Sequence, residues 1–193
     1  DGEHARAAGE LAEPARLAEF RSLLEDQGLY VFTVNAFPYG TFHGTRVKEQ
    51  VYAPDWTTPE RVDYTLCVAR ILAALLPEGV AGTISTVPGT YRLWADRAKA
   101  VAVVQNLARI ASELARIETE TGRRIQVAIE PEPDCLWDTA GDCARLFNED
   151  IPDLADLPES RVQRHLGICL DTCHQAVVFE PPAAALRRLL DAG

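Results

Sequence analysis

Four short apolar runs, each about the length of a buried strand, alternate along this chain with amphipathic helical segments. In the helical segments the apolar residues recur every three or four positions, which is the spacing of one helix face. Parallel strands joined by crossover helices produce this alternation, because the two kinds of element bury apolar side chains against each other. The predicted strands cover Leu29–Phe37, Gly82–Val87, Ile125–Glu130 and Leu166–Asp171. The pattern therefore predicts an α/β fold with a parallel sheet covered by helices.

The predicted helices have typical start and stop residues. Thr58 and Pro59 are typical of an N-cap and a first helical position, and Gly28 and Gly122 are typical helix ends. Helices are predicted over residues 13–27, 58–76, 95–121, 139–149 and 183–190, whereas residues 1–10 are expected to be frayed. Residues 38–57 are rich in Gly, Pro and aromatic residues and are predicted to form a long loop.

The length of the chain limits how much of an α/β fold it can form. A chain of 193 residues is enough for a single domain with a core. Eight-stranded (β/α)8 barrels take roughly 250 residues, so four strands form either an open sheet or part of a longer barrel. We favour the second interpretation, in which residues 1–193 are one domain and a fragment of a longer TIM barrel. Because open sheet edges are sticky, pairing into a homo-oligomer or aggregation is also expected.

Charge and composition exclude several classes of protein. The chain has 19 basic and 29 acidic residues and a net charge of −10, which disfavours nucleic acid as a partner. No apolar stretch approaches the roughly 20 residues of a membrane helix, so no membrane insertion is expected. The segment DGEHARAAGE lacks the apolar core of a signal peptide, and five irregularly spaced cysteines do not form a disulfide framework. A cytoplasmic protein is expected.

Two acidic residues, Glu130 and Asp171, stand at the ends of two predicted strands, and His174 follows Asp171 by three positions. Burying a carboxylate is unfavourable unless the group is paired or bound to a metal ion. In parallel α/β folds the carboxyl ends of the strands lie at one edge, where ligands bind. These three residues therefore predict a metal site at one end of the sheet.

Side-chain alternation predicts which residues accompany the carboxylates on one face of the sheet. These residues are Val31, Thr33, Asn35, Thr83, Ser85, Gln126, Ala128 and Cys169. Asn35 is a candidate for hydrogen bonding to a substrate hydroxyl. His43 follows the same strand and is a second candidate substrate-binding residue, with an ordinary loop histidine as the alternative.

The remaining polar residues near the motifs are given structural interpretations. Cys169 and Cys173 flank Asp171 and could supply thiolates, but small buried hydrophobes are the preferred interpretation. Glu132 lies beyond its strand between two prolines and is interpreted as a loop carboxylate. The histidines outside the motifs, His4 and His165, are expected at the surface.

Several segments resemble known proteins. LGICLDTCH (Leu166–His174) resembles the strand-end motif of the xylose isomerase-like barrel superfamily, which includes sugar isomerases, epimerases and endonuclease IV enzymes. IEPEP (Ile129–Pro133) resembles the strand of that superfamily that delivers a metal-binding Glu. The closer similarity is to EboE-type metabolite traffic proteins, barrel members associated with gene clusters that export or position secondary-metabolite precursors. It lies in GLYVFTVNAFPYGTFHG (Gly28–Gly44), VKEQVYAPDW (Val47–Trp56), ARILAALLPEGVAGTISTVP (Ala69–Pro88) and IEPEPDC.

The resemblance implies a partial (β/α)8 TIM barrel of the xylose isomerase-like type, in which the four strands are similar to the third to sixth. By this resemblance Glu130 and Asp171 are metal ligands, and His174 is a third ligand or a substrate contact. Glu130 and His174 are then the catalytic residues. The cofactor is a divalent ion such as Mn²⁺, Mg²⁺, Co²⁺ or Zn²⁺, which suits carboxylate and imidazole donors. Partners from the same metabolite-handling gene cluster are also implied.

Two functional hypotheses of different classes remain open from the sequence. The first is a metal-dependent isomerase, epimerase or lyase acting on a polyhydroxylated or phosphorylated small molecule. The second is a non-catalytic carrier or binding component in metabolite traffic. A metal-dependent endonuclease-like hydrolase is a third hypothesis, which the acidic net charge disfavours.

Overall fold

The computed structural model describes residues 2–40 and 48–192 and contains one sheet of four strands. The strands are β1 (Thr33–Asn35), β2 (Gly82–Thr86), β3 (Ile125–Ile129) and β4 (Leu166–Ile168). They lie in the order β1-β2-β3-β4, and all three pairings are parallel. The predicted α/β fold with a parallel four-stranded sheet is therefore confirmed.

Nine α-helices surround or precede these strands in the described residues. They are α1 (Glu3–Leu11), α2 (Pro14–Asp26), α3 (Pro59–Leu75), α4 (Arg97–Thr121), α5 (Ala140–Arg145), α6 (Ile151–Leu154), α7 (Glu159–His165), α8 (Thr172–Val177) and α9 (Pro182–Asp191). Short 3₁₀ turns cover Lys48–Tyr52 and Arg92–Trp94, and a π-helical turn over Leu146–Asp150 joins α5 to α6. None of the described helices combines the length and apolarity needed to cross a membrane.

The ends of the long helix α4 follow from two residues. The Asp96 side chain accepts a hydrogen bond from the Lys99 backbone N–H at 2.8 Å and so caps the first turn. Gly122 ends the helix with φ of 71°, a left-handed conformation that glycine adopts without strain. After Arg123 and Arg124 the chain enters β3 at Ile125.

One face of the sheet is buried beneath helices α3, α4 and α7. Ile84 of β2 and Val127 and Ile129 of β3 are completely buried on this side. The packed helices contribute Leu72 from α3 and Leu107 from α4, both also completely buried. Burying one such side chain contributes about 2 kcal/mol, so this layer supplies much of the stability of the fold.

The opposite face carries small or polar side chains and is partly open. Thr33, Thr83 and Gln126 lie in register across β1, β2 and β3, and the Thr83 hydroxyl lies 2.8 Å from the Thr33 hydroxyl. Asn35 and Ser85 form the next register pair, and none of these five side chains is fully buried. Parallel sheets are usually covered on both faces, so this open polar face is unusual.

All four strands are shorter than the sequence predicts, β2 and β3 by one residue each and β1 and β4 by more. β1 covers Thr33–Asn35 instead of residues 29–37, and the preceding Leu29 and Phe32 are 61% and 53% exposed. Their apolar composition indicates a strand, but they lie outside the paired part of the sheet. β4 ends at Ile168 instead of Asp171, because Asp171 begins the next helix.

Two further expectations are wrong. The N-terminal residues form helix α1 instead of a frayed end, because the backbone N–H groups of His4 and Ala5 donate to the Tyr39 carbonyl and the helix packs on α3. His165 is 1% exposed instead of lying at the surface. Its Nδ1 lies 2.9 Å from the Ile125 carbonyl oxygen, which gives the buried ring a polar partner.

Candidate metal site

Glu130 directly follows β3 and extends its ladder by one residue. Its backbone N–H donates to the Thr86 carbonyl at 3.0 Å, which fixes the start of the loop after the strand. Its carboxyl group is about half buried. Burial raises its pKa above the usual glutamate value, and the neighbouring Asp171 raises it further, while His174 opposes this shift. The metal-free site therefore disfavours the charged form of Glu130.

The two carboxylate oxygens of Asp171 make different contacts. Oδ1 accepts hydrogen bonds from the backbone N–H groups of Cys173 at 2.6 Å and His174 at 3.4 Å, so Asp171 is the N-cap of α8. The bond from Cys173 is the main reason that the pKa of Asp171 lies below its usual value. Oδ2 faces the imidazole of His174 at 3.7 Å from Nε2. One oxygen thus begins the helix and the other faces the site.

His174 lies in α8 with its ring orientation fixed by the loop after β3. Nδ1 is 2.8 Å from the Pro131 carbonyl oxygen. Because a carbonyl oxygen only accepts, Nδ1 carries the proton in this contact, and Nε2 faces the carboxylates. Metal-binding histidines typically have their second nitrogen held in this way by a carbonyl or carboxylate.

Glu130, Asp171 and His174 form one cluster of metal-binding side chains. Each offers a donor atom, and the three donor atoms lie within 4.8 Å of one another. Two carboxylates and an imidazole are donors for Mn²⁺, Co²⁺ or Zn²⁺, and the oxygen-rich set also suits Mg²⁺. The structure thus brings together the three residues that the sequence predicted as ligands, and this donor set suits a divalent ion.

Glu132 contacts His174 and so lies beside this cluster. Its interpretation from the sequence as a loop carboxylate does not predict this contact. Its Oε2 lies 3.0 Å from His174 Nε2. Burial raises the pKa of Glu132, while the neighbouring His174 and Tyr52 oppose that shift. Because a carboxylate has no donor when ionised, the contact requires a proton on one of the two partners. The sequence feature that could have indicated this contact is the two-residue spacing of Glu130 and Glu132, which places both side chains on the same side of an extended chain.

Tyr52 connects the loop after β1 to the site, and no sequence pattern indicated it. Its phenol lies near Glu132 and Cys135, and burial raises the pKa of Tyr52 well above its usual value. The phenol therefore stays protonated. The ring stacks on Tyr91 with centroids 5.6 Å apart and planes 10° apart. Trp94 packs edge-on against Tyr91, so Tyr52, Tyr91 and Trp94 form one aromatic group beside the carboxylates.

The other predicted site residues lie around the cluster. Asn35 is exposed on the open face, and its Oδ1 accepts a hydrogen bond from the Phe37 backbone N–H at 2.9 Å. His43 lies outside the described residues. Cys169 is partly buried, and burial raises the pKa of its thiol, so a neutral thiol is favoured over a thiolate ligand. Cys173 is exposed.

Comparisons with protein families and with curated sequences find no match for this chain. The class of protein that the structure defines is therefore a parallel α/β protein with a carboxylate–histidine cluster at the carboxyl ends of strands β3 and β4.

Proposed function

We propose that this chain is part of a xylose isomerase-like barrel protein that binds a divalent metal ion and a small polyhydroxylated or phosphorylated molecule. The observation that carries the proposal is the convergence of Glu130, Asp171 and His174 within 4.8 Å at the carboxyl ends of adjacent parallel strands. This is the edge at which parallel α/β folds bind their ligands.

The open face of the sheet supports the barrel part of the proposal. In a doubly wound fold both faces are packed under helices, whereas in a barrel one face lines the interior. Thr33, Asn35 and Thr83 are small polar residues on the uncovered face, and β1 and β4 are the two ends of the strand order. Further strands beside β1 and β4 would enclose this face and the cluster together.

The chain's own residues have distinct roles in the proposed site. Glu130 and Asp171 supply negative charge and oxygen donors, and His174 presents Nε2 because Pro131 holds Nδ1. A bound divalent ion supplies Lewis-acid polarisation of a substrate carbonyl or hydroxyl. Glu132 Oε2 lies 3.0 Å from Nε2 and so borders the position proposed for the ion and the substrate.

The chemistry of the surroundings supports a small polar substrate. The hydroxyl and amide groups of Thr83, Ser85 and Gln126 line the face that leads to the cluster. The net charge of −10 disfavours a nucleic-acid substrate, so the endonuclease hypothesis is the weakest of the three. An isomerase or epimerase reaction on a polyol or sugar derivative is the activity that we propose.

Metal content and turnover together test the proposal. After removal of metal with a chelator, the protein should take up stoichiometric Mn²⁺ or Zn²⁺, measured by elemental analysis. Glu130→Gln and Asp171→Asn should lose this ion, whereas Asp134→Asn should keep it. Asp134 is exposed, lies in the same loop and has φ of 67°, a conformation that asparagine also tolerates.

Uptake of metal by wild type and both ligand variants alike would refute the proposed site. Aldose–ketose interconversion by the wild type, lost in Glu130→Gln, would establish catalysis. Metal binding without turnover of any sugar or sugar phosphate would instead favour a carrier or binding component of metabolite traffic.

A further inference from the structure

The aromatic group of Tyr52, Tyr91 and Trp94 comes from the segments that follow two neighbouring strands. Tyr52 lies between β1 and α3, whereas Tyr91 and Trp94 lie between β2 and α4. Phe37 also follows β1 and packs against Tyr52 with ring centroids 6.0 Å apart. Because the strands are parallel, both segments leave the sheet at its carboxyl edge, the edge at which Glu130 follows β3. A row of rings therefore borders the proposed metal site.

The turn that carries Trp94 is fixed to the loop after β3. The Arg92 backbone N–H donates to the Asp134 carbonyl at 2.8 Å, and the Arg92 guanidinium donates to the Asp138 carboxylate at 2.8 Å. In addition, Lys99 Nζ donates to the Trp94 carbonyl at 2.6 Å. The indole is therefore carried on backbone that is held in place before a ligand binds, which reduces the ordering cost of binding.

Trp94 is the outer ring of the aromatic group and is partly exposed. The other two tryptophans of the chain, Trp56 and Trp137, are 0% and 1% exposed. Tyr91 meets the indole edge-on, with ring planes at 74° and centroids 5.4 Å apart. Because one neighbour in this geometry covers at most one face of the indole, Trp94 offers apolar ring surface to a ligand at the carboxyl edge of the sheet.

The charges around this ring favour a neutral ligand. Residues 87–96 and 130–139, the segments after β2 and β3, contain five acidic residues and one basic residue, Arg92. The Arg92 guanidinium already pairs with Asp138 at 2.8 Å. A phosphate group on the ligand would meet negative charge here without a free cation from either segment, which makes its binding unfavourable. The surroundings therefore favour an unphosphorylated ligand.

A sugar ring has the complementary chemistry. Its hydroxyl groups point outward from the ring edge and suit the carboxylates or a bound ion, whereas its ring faces carry C–H groups. These weakly positive C–H groups are attracted to the negative face of an aromatic ring. Small-molecule sites commonly combine apolar and aromatic walls with a few polar groups in this way. An open-chain polyol has no fixed C–H face and lacks half of this match.

We propose that Trp94 is a sugar-binding residue of the site, whose indole packs against the C–H face of an unphosphorylated, ring-closed sugar while the sugar hydroxyl groups reach the carboxylate–histidine cluster. The inference rests on the proposed function, because it takes that cluster as the place where the hydroxyl groups bind. It narrows the ligand class of the same site to a neutral pyranose. A phosphorylated or acyclic ligand gains less from this ring.

Fluorescence of the wild-type protein in the presence of Mn²⁺ tests the proposal, because Trp94 is the tryptophan that acrylamide in solution can reach and quench. An excess of D-glucose, D-galactose or D-xylose should protect it, so that at least one of the three sugars reduces the quenching. The open-chain counterparts sorbitol, galactitol and xylitol should protect less at the same concentration. Protection by adenosine and by none of the sugars, or by no compound at all, would overturn the proposal.

Calorimetry with the protective sugar separates a binding role of Trp94 from a packing role. Trp94→Leu should weaken binding by about tenfold through loss of buried apolar contact. Trp94→Phe keeps an aromatic face and should bind within about threefold of wild type. Phe32→Leu is the matched control, since it removes a ring that is 53% exposed but precedes β1, at the other edge of the sheet, and it should bind as wild type does.

The inference and the proposed function fail in different ways. Equal sugar affinity in Trp94→Leu and wild type would leave Trp94 a packing role only and overturn the inference, while loss of Mn²⁺ in Glu130→Gln would still support the metal site. Failure of the wild type to take up Mn²⁺ would overturn the metal site, whatever the sugars do. If Trp94→Leu does not fold, the wild-type quenching result decides the inference, because it needs no variant.

Discussion

The amide group of Gln126 lies directly above Gly167 on the open face of the sheet. A Cβ added at Gly167 would come within 2.8 Å of the Gln126 amide carbon, closer than real contacts allow. In the native arrangement Gln126 Nε2 donates to the Leu166 carbonyl at 2.9 Å, which joins β3 to the start of β4. The small residue thus makes room for a side-chain hydrogen bond between the two strands that carry the carboxylates.

Gly167→Ala should therefore destabilise the protein by about 1–2 kcal/mol, because the methyl group displaces Gln126 from its hydrogen bond. Urea unfolding followed by circular dichroism measures this change. Gly9→Ala is the matched control, since a Cβ at Gly9 meets no atom within 4 Å and Gly9 lies within helix α1. The control should be more stable by about 0.5–1 kcal/mol from helix propensity. Equal effects of the two substitutions would contradict the role of Gly167.

His165→Leu should lower the free energy of unfolding by about 1–3 kcal/mol, because the Ile125 carbonyl loses its side-chain partner inside the protein. The wild-type contact between Nδ1 and that oxygen is 2.9 Å, and the ring is almost completely buried. His4→Leu changes the same residue type on helix α1, where the side chain is only partly buried, and should have little effect. Thermal unfolding of the two variants side by side checks the difference.

Arg61→Lys should destabilise the protein by about 2 kcal/mol, because one ammonium cannot replace a guanidinium that spans several carbonyls. The Arg61 side chain is completely buried and donates to the carbonyl groups of Pro54, Ala36 and Phe37 at 2.8, 2.7 and 3.2 Å. Arg70→Lys, an exposed change on the same helix α3, is the control and should be neutral. A chemical-denaturation series that finds the two variants equally stable would contradict this assignment.

Glu130→Gln should make the metal-free protein more stable at neutral pH while removing stabilisation by metal. Burial raises the pKa of Glu130, so the folded state holds its proton more tightly than the unfolded state. Stability then falls as the pH rises from the ordinary glutamate range through the raised pKa of the folded state. The variant should show a smaller fall over this pH range.

Melting temperatures of wild type and Glu130→Gln across this pH range, with and without Mn²⁺, measure both effects. Added Mn²⁺ should raise the melting temperature of the wild type and leave that of the variant unchanged. Asp134→Asn serves again as the control, with a wild-type response to Mn²⁺. A variant that is less stable than wild type at every pH would show that Glu130 has a structural role instead.

The parts of the site that could be predicted depend on local periodicity. Alternation along β3 places Glu130 on the same face as Gln126, and this requires only that the segment is a strand. The D-x-x-H spacing brings His174 back beside Asp171 because one helical turn separates them. The parallel α/β class also followed from the alternation of strands and helices. These features need no knowledge of distant contacts.

The features that could not be predicted depend on contacts between residues far apart in sequence. His165 is buried because it reaches the carbonyl of Ile125, 40 residues earlier. Glu132 joins the site through His174, and Tyr52 comes near Glu132 from the segment after β1. The shortness of β1 has a similar origin, since only Thr33, Val34 and Asn35 pair with β2. No local pattern contains this information.

One oxygen of Asp171 caps helix α8 and the other faces the proposed metal site, so metal binding would affect the start of this helix. An ion on Oδ2 would restrain the same carboxylate whose Oδ1 accepts the amide protons of Cys173 and His174. Those two amide protons would then exchange with solvent more slowly in the loaded protein than in the empty one. Hydrogen exchange at the Cys173 and His174 amides would therefore measure metal binding without an assay of turnover.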